Sequence, residues 1–251
     1  MSIHVFEPHG DDALISAWSL LNCSKEKVIL HTLSKSRSSS RLLQYDLSID
    51  DYHYPELQDI DYSYKPKINT HEYNRMYAES INERSLPKRY RRIDLYATMV
   101  DECMKNVPDS LYASCYHEIQ DYVKSLHLTP DDIMVYPVGL DHPYHITVNE
   151  SLHRYAKDIG AKSILYADKP YLSKRYIRQS LDSKYHDAYT LDINHVNANS
   201  LEDKTEIFST VYPTERNLLR FTRDSVLKDP DLYIFEEPSH LRDFVDLIVR
   251  C

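Results

Sequence analysis

Glycine is scarce: only three occur in 251 residues, at Gly10, Gly139 and Gly160. Each one kept therefore marks a place where the backbone has a special need. Cysteine is also sparse, with Cys23, Cys103, Cys115 and Cys251 scattered and no CxxC pair. That pattern excludes a thiolate zinc motif and a dense disulfide framework. It points to a reducing, cytoplasmic compartment. No dense basic stripe is present and the formal net charge is −9, which argues against nucleic acid as a partner. No run is long and apolar enough to span a bilayer. The N-terminus shows no charged run followed by an apolar stretch, so a signal peptide is not expected. Internal repeats and Pro/Gly linkers are missing too. Residues 1–251 are expected to form one domain, with about 186–251 the part least defined by pattern.

What is present is ordinary for a globular chain: 42% hydrophobic and 27% charged residues. Tyrosine, at 22 residues, stands out. Genome base composition is the simplest reading. A sugar-binding rim is the functional one, since a tyrosine ring stacks on apolar sugar faces while its hydroxyl stays wet.

Ile3-His4-Val5-Phe6-Glu7 reads as a buried strand, 13–21 as a helix capped by Asp11 or Asp12, and 28–33 as a second strand. Strand, helix and strand in about thirty residues make a βαβ unit and imply a parallel sheet. Residues 34–65 break the pattern and read as a long surface loop with one irregular hairpin. Helices are expected over 71–83, 92–104 and 111–126, and a strand over 133–137. A helix over 146–158 follows, ended by Gly160 as its cap. The next strand spans 163–167. A short strand at 188–191, helices at 201–212 and 214–221, a strand at 232–235 and a helix at 239–249 complete the chain. The fold class is α/β: a Rossmann-like, open, mostly parallel sheet flanked by helices, with a helical and irregular C-terminal part.

Two segments lie just past predicted strands, where open parallel sheets bind ligands. They are Pro8-His9-Gly10-Asp11-Asp12 and Asp141-His142-Pro143-Tyr144-His145. Taken singly, each has a plain reading: a solvated histidine, or aspartates capping a helix. Together, at equivalent topological places, they supply the donors of a metal site. Three ligands and a base can be drawn from them: His9, Asp12 and His145, with Asp11. Zinc takes imidazole nitrogen and carboxylate oxygen at about 2.0–2.2 Å, and its catalytic form keeps one position for water. A nearby carboxylate can take that water's proton during attack on an amide carbonyl. His142 can stabilise the developing oxyanion. His4, His31, His53 and His186 have no comparable setting and read as structural or surface residues.

The first segment resembles the PHxDD signature of the LmbE/PIG-L family of zinc-dependent de-N-acetylases. The second is similar to that family's HPDH motif, and Tyr166-Ala167-Asp168-Lys169-Pro170-Tyr171 to a weaker Y-x-D-x-P-Y segment. The resemblance spans about residues 3–172. It implies zinc, or another divalent transition metal, held by His9, Asp12 and His145. It also implies Asp11 as general base, His142 as stabiliser of the tetrahedral intermediate, and an N-acetylated sugar conjugate of GlcNAc type as the small-molecule substrate. Three departures stand out: Ala13 where the family usually has Glu, Gly10 where Pro is common, and Tyr144 in place of the Asp of HPDH. None removes a metal ligand or the base implied by the resemblance. Arg75, Tyr144 and Tyr171 are candidate substrate contacts. The alternatives are a zinc amidase acting on a non-sugar N-acyl compound, and a catalytically silent small-molecule-binding homologue. Retention of Asp11 argues against the silent form, which has no need of a base.

Overall fold

The computed structural model describes residues 1–34, 38–64, 95–169, 188–193, 198–213 and 230–248, with positions 69, 71, 75, 171, 180–181, 184–185 and 227. Strand β1 (Ile3–Glu7) leads through a turn into two short helices, α1 (Asp12–Ser16) and α2 (Trp18–Cys23). Strand β2 (Val28–Thr32), a 3₁₀ segment (Ser38–Gln44), strand β3 (Ile49–His53) and a 3₁₀ turn (Tyr62–Tyr64) follow. Next come α3 (Leu95–Met104), α4 (Asp109–Ser125), β4 (Ile133–Pro137), α5 (Pro143–Ile159) and β5 (Lys162–Tyr166). The C-terminal part holds β6 (Tyr189–Ile193), α6 (Ala198–Val211), β7 (Asp231–Phe235) and α7 (Pro238–Ile248).

The strands form one seven-stranded sheet in the order β3-β2-β1-β4-β5-β7-β6. The first five are mutually parallel, while β7 runs antiparallel to both β5 and β6. β1 and β4 sit side by side, with Val5 opposite Val135. Both are buried at every position; β4 reads as a continuous apolar run, while β1 also buries His4 and Glu7. Alternate side chains feed two cores. Phe6, Met134 and Tyr136 pack with Met99, Ile119 and Leu152 from α3, α4 and α5. Val5, Val135 and Ile164 pack on the other face with Leu14, Trp18, Phe208 and Phe244. Cys103 and Cys115 are buried free thiols. No helix among the described residues is long and apolar enough to cross a membrane.

Several expectations need correction. The helix expected over 13–21 is broken at Ala17, whose φ of −130° leaves the helical region. A side chain from α6 takes part of the broken ladder: Lys204 Nζ donates to the carbonyl of Ile15 at 2.9 Å. Residues 34–65 are not simply a loop with a hairpin. Their Ile49–His53 stretch is a strand parallel to β2 at the sheet edge. Its Asp50 and Asp51 are exposed, so an edge position hides the usual apolar pattern. Helix α5 begins at Pro143, not at 146, because His142 caps it and proline suits the first helical position. The helices expected at 71–83 and 214–221 fall largely or wholly outside the described residues.

Candidate metal centre

The strand order reverses direction between β1 and β4, which makes their shared C-terminal end the topological switch point. The 9–12 turn leaves β1 there, and the 138–142 loop leaves β4 beside it. Gly139 serves that second loop with φ of 81°, and an added Cβ would stand 3.0 Å from both Asn149 Cβ and the Ile146 Cα. No other residue fits that place without strain.

The two loops bring three donor atoms together. His9 Nδ1 lies 3.1 Å from His145 Nε2. Asp12 Oδ2 lies 3.4 Å from His9 Nδ1 and 3.3 Å from His145 Nε2. Four-coordinate zinc with bonds of about 2.0–2.1 Å separates neighbouring ligand atoms by about 3.3 Å. The triangle therefore fits such an ion. His142 lies close by, and one nitrogen from each of His9, His142 and His145 falls within 4.8 Å of the others.

Proton placement at the two histidines follows from their outer partners. His145 Nδ1 faces the buried Asp168 Oδ1 at 2.8 Å, which holds its proton on Nδ1 and leaves a lone pair on Nε2. The outer nitrogen of His9, Nε2, lies 3.3 Å from Asp59 Oδ2. With both outer nitrogens protonated, two imidazole lone pairs and one carboxylate oxygen converge on a single point. Such an arrangement needs a cation or a proton between its members. The pKa directions agree for the metal-free protein. Burial opposes the charged form of His9, but the bonds to Asp12 and Asp59 outweigh it and push its pKa well above the ordinary histidine value. Burial likewise raises Asp12, but His145 and His9 outweigh it and hold the carboxyl below its usual range.

Asp168 carries no assignment from the sequence beyond its place in a weak motif. Its Oδ2 accepts from the backbone N–H groups of Gly139 and Leu140 at 2.9 and 3.0 Å. One side chain thus fixes both the loop after β4 and the ring of His145. Burial pushes its pKa up more than these partners pull it down.

The 9–12 turn is held differently from the expected aspartate cap. Asp11 sits at the helix N-cap with no capping bond from its side chain, and is half-buried. Asp12 Oδ2 instead accepts from the His9 N–H at 2.8 Å. The first turn of α1 is served by Glu7, whose Oε2 accepts from Ala13 N–H at 3.0 Å. Ser39 bridges the Glu7 carboxyl, the Gly10 carbonyl and the Tyr212 hydroxyl. Thr32 also bonds Glu7. Burial pushes the Glu7 carboxyl up to about 8 despite these bonds.

His142 accepts the Tyr144 N–H on its Nδ1 at 3.1 Å. Its ring centroid lies 4.9 Å from those of His9 and His145. Neighbouring Asp141 is fully buried with φ of 59°, a costly backbone state for a non-glycine that clusters at functional sites. Tyr171 packs edge-on to His145 at 5.7 Å, and Tyr62 lies 5.0 Å from His142. Tyr144 is fully buried, its ring 5.7 Å from His9, rather than an exposed tyrosine. Arg75 is exposed. The structure therefore gathers His9, Asp12, His142, His145, Tyr144 and Tyr171, and adds Asp59, Tyr62 and Asp168. His4 and His31 take the structural reading: they are buried, 3.0 Å apart, and His31 stacks on His53 across β1, β2 and β3.

No family model and no curated protein matches the chain. Among solved structures, it is similar to a deacetylase triple mutant of the teicoplanin biosynthetic pathway, at 12% identity over 94% of this chain and 97% of that one, with TM-score 0.48. It is similar to the A40926 pseudoaglycone deacetylase Dbv21 at 12% identity over 93% and 96%, with TM-score 0.45. A zinc-inhibited form of teicoplanin deacetylase Orf2 matches at 10% identity over 95% and 99%, with TM-score 0.45. Likenesses of this degree decide neither fold nor activity.

Proposed function

We propose that the chain is a metal-dependent hydrolase that removes an N-acetyl group from an amino sugar of GlcNAc type or its conjugate. The observation that carries this reading is the triangle of His9 Nδ1, Asp12 Oδ2 and His145 Nε2, with edges of 3.1 to 3.4 Å. These three residues would hold zinc or another divalent transition metal, which supplies Lewis acidity to a water and to the amide carbonyl. The amino-sugar part of the reading rests on the sequence resemblance, and the whole of residues 1–251 is taken as one domain.

In this reading Asp11 is the general base. It takes a proton from the attacking water as the new C–O bond forms. It then returns that proton to the nitrogen as the C–N bond breaks, giving a free amine and acetic acid, which loses its remaining proton to solvent as acetate. His142 stabilises the developing oxyanion. Its Nδ1 accepts a backbone N–H, so a neutral ring carries its proton on Nε2, the form of a hydrogen-bond donor. Tyr171, and Tyr62 from the 38–64 segment, offer ring faces near these histidines that suit the apolar face of a sugar. Tyr144 and Arg75 remain proposed substrate contacts.

The test is acetate release from a panel of N-acetylated amino sugars and non-sugar N-acyl compounds, run with metal-stripped and zinc-loaded protein. Zinc-dependent release from sugars alone is the expected result. Release confined to non-sugar compounds would replace the sugar by another acyl donor. No metal uptake and no release from either set would leave a binding protein.

A further inference from the structure

We propose that Asp59 is the positioning residue for His9 and ties the 38–64 segment to the metal ligands. This rests on the metal-site reading above. His9 has two ring nitrogens with separate duties. Nδ1 faces Asp12 and His145 at 3.4 and 3.1 Å, so Nε2 must carry the proton if Nδ1 is to offer a lone pair. Asp59 Oδ2 stands 3.3 Å from that Nε2. A carboxylate there favours the Nε2–H tautomer, orients the ring and strengthens Nδ1 as a donor. Asp168 stands in the same relation to His145. Each imidazole of the triangle is thus backed by a carboxylate from a different part of the chain.

The position of Asp59 is built rather than incidental. Two residues earlier, Leu57 N–H donates to the Leu33 carbonyl just past β2 at 2.8 Å. Gln58 N–H donates to Glu118 on α4 at 2.8 Å. Ile60, immediately after, is fully buried in the core. These anchors on both sides fix the Asp59 backbone against the site. The other carboxylate oxygen, Oδ1, is buried with no hydrogen-bond partner among the described residues. The side chain as a whole keeps 32% of its exposure, but Oδ1 has lost its water, which costs free energy. The attraction between Asp59 Oδ2 and the His9 ring at 3.3 Å offsets that cost.

The test is zinc affinity, measured on the full metal-stripped chain by competition with a chromogenic chelator. Asp59→Ala should bind zinc about 10–100-fold more weakly than wild type. Asp59→Glu should recover part of the loss, and Asp61→Asn, an exposed carboxylate two residues on, should match wild type. The melting temperature of the metal-free variants separates a positioning role from a structural one. Weakened zinc binding at unchanged melting temperature supports the proposal. Wild-type zinc affinity in Asp59→Ala overturns it. If that variant fails to fold, Asp59→Asn, equal in size and without the charge, decides by the same comparison. A wild-type chain that takes up no divalent metal would overturn the metal-site reading itself, an outcome distinct from loss confined to Asp59.

Discussion

His145 and Asp168 form a buried pair, Nδ1 to Oδ1 at 2.8 Å, and the second oxygen of Asp168 accepts two backbone N–H groups of the loop after β4. All of these neighbours are donors. A carboxamide cannot accept from both sides at once. Asp168→Asn is therefore expected to lower zinc affinity about 10–100-fold and to lower the melting temperature of the metal-free protein as well. Chelator competition and thermal melting check the two effects. Unchanged zinc affinity would remove Asp168 as the support of His145.

Asp11 differs from its neighbour Asp12, which lies within the ligand triangle and has its carboxyl held down by His145 and His9. Asp11→Asn should keep the zinc content of wild type and lose turnover by about 10²–10⁴-fold. Metal analysis and acetate release on the same preparation check it. Full activity in that variant would exclude Asp11 as the base.

Glu7 makes the stability of the metal-free protein depend on pH. Its folded pKa is about 8, against an ordinary value of 4.5, because it is buried. The folded state then keeps a proton that the unfolded state gives up. Between about pH 4.5 and 8, stability falls as pH rises, by up to ~1.4 kcal/mol per unit from this group. The hydrogen bonds agree with a protonated carboxyl. Ser39 has one proton and two acceptors, Glu7 and the Gly10 carbonyl, and a proton on Glu7 resolves the conflict. Glu7→Gln keeps a donor without the ionisation. With chelator present, its denaturation midpoint should vary less between pH 5 and 8 than that of wild type. An identical slope would refute the buried, protonated Glu7.

The parts of the fold legible in the sequence are those where one local pattern decides. β1 and β4 are buried on both faces, so Ile133–Pro137 reads directly as an apolar run, and the β-branched and aromatic residues Ile3, Val5 and Phe6 mark β1 despite His4 and Glu7. Histidines and aspartates placed just past such strands then stand out. β3 was hidden because an edge strand need not alternate, and Asp50 and Asp51 face outward. The break at Ala17 carries no glycine or proline. A lysine 189 residues away in the chain takes up the Ile15 carbonyl there. Asp59 was invisible for a similar reason: nothing near it in sequence marks it, and its link to His9 exists only after the 38–64 segment folds back. Asp168 belongs to a short motif, but its two-sided task depends on the loop after β4 and His145 on α5 being folded against it.

Tyr144, standing where the HPDH motif that this segment resembles has aspartate, is the sharpest test of what that departure does. Its ring is fully buried, and its hydroxyl has no hydrogen-bond partner among the described residues. Burial first, and then the negative charge of Asp59, push its pKa well above the usual tyrosine value, so the hydroxyl stays a neutral donor. An unpaired buried hydroxyl costs about 1–3 kcal/mol. Removing it should therefore not destabilise the protein: the melting temperature of Tyr144→Phe should equal or exceed that of wild type. If the hydroxyl is kept for a substrate group, the same variant should show a raised KM with zinc affinity unchanged. Thermal melting, zinc competition and steady-state kinetics on this one variant separate the two effects. A lowered melting temperature would mean that the hydroxyl has a structural partner, and an unchanged KM would remove Tyr144 from the substrate contacts.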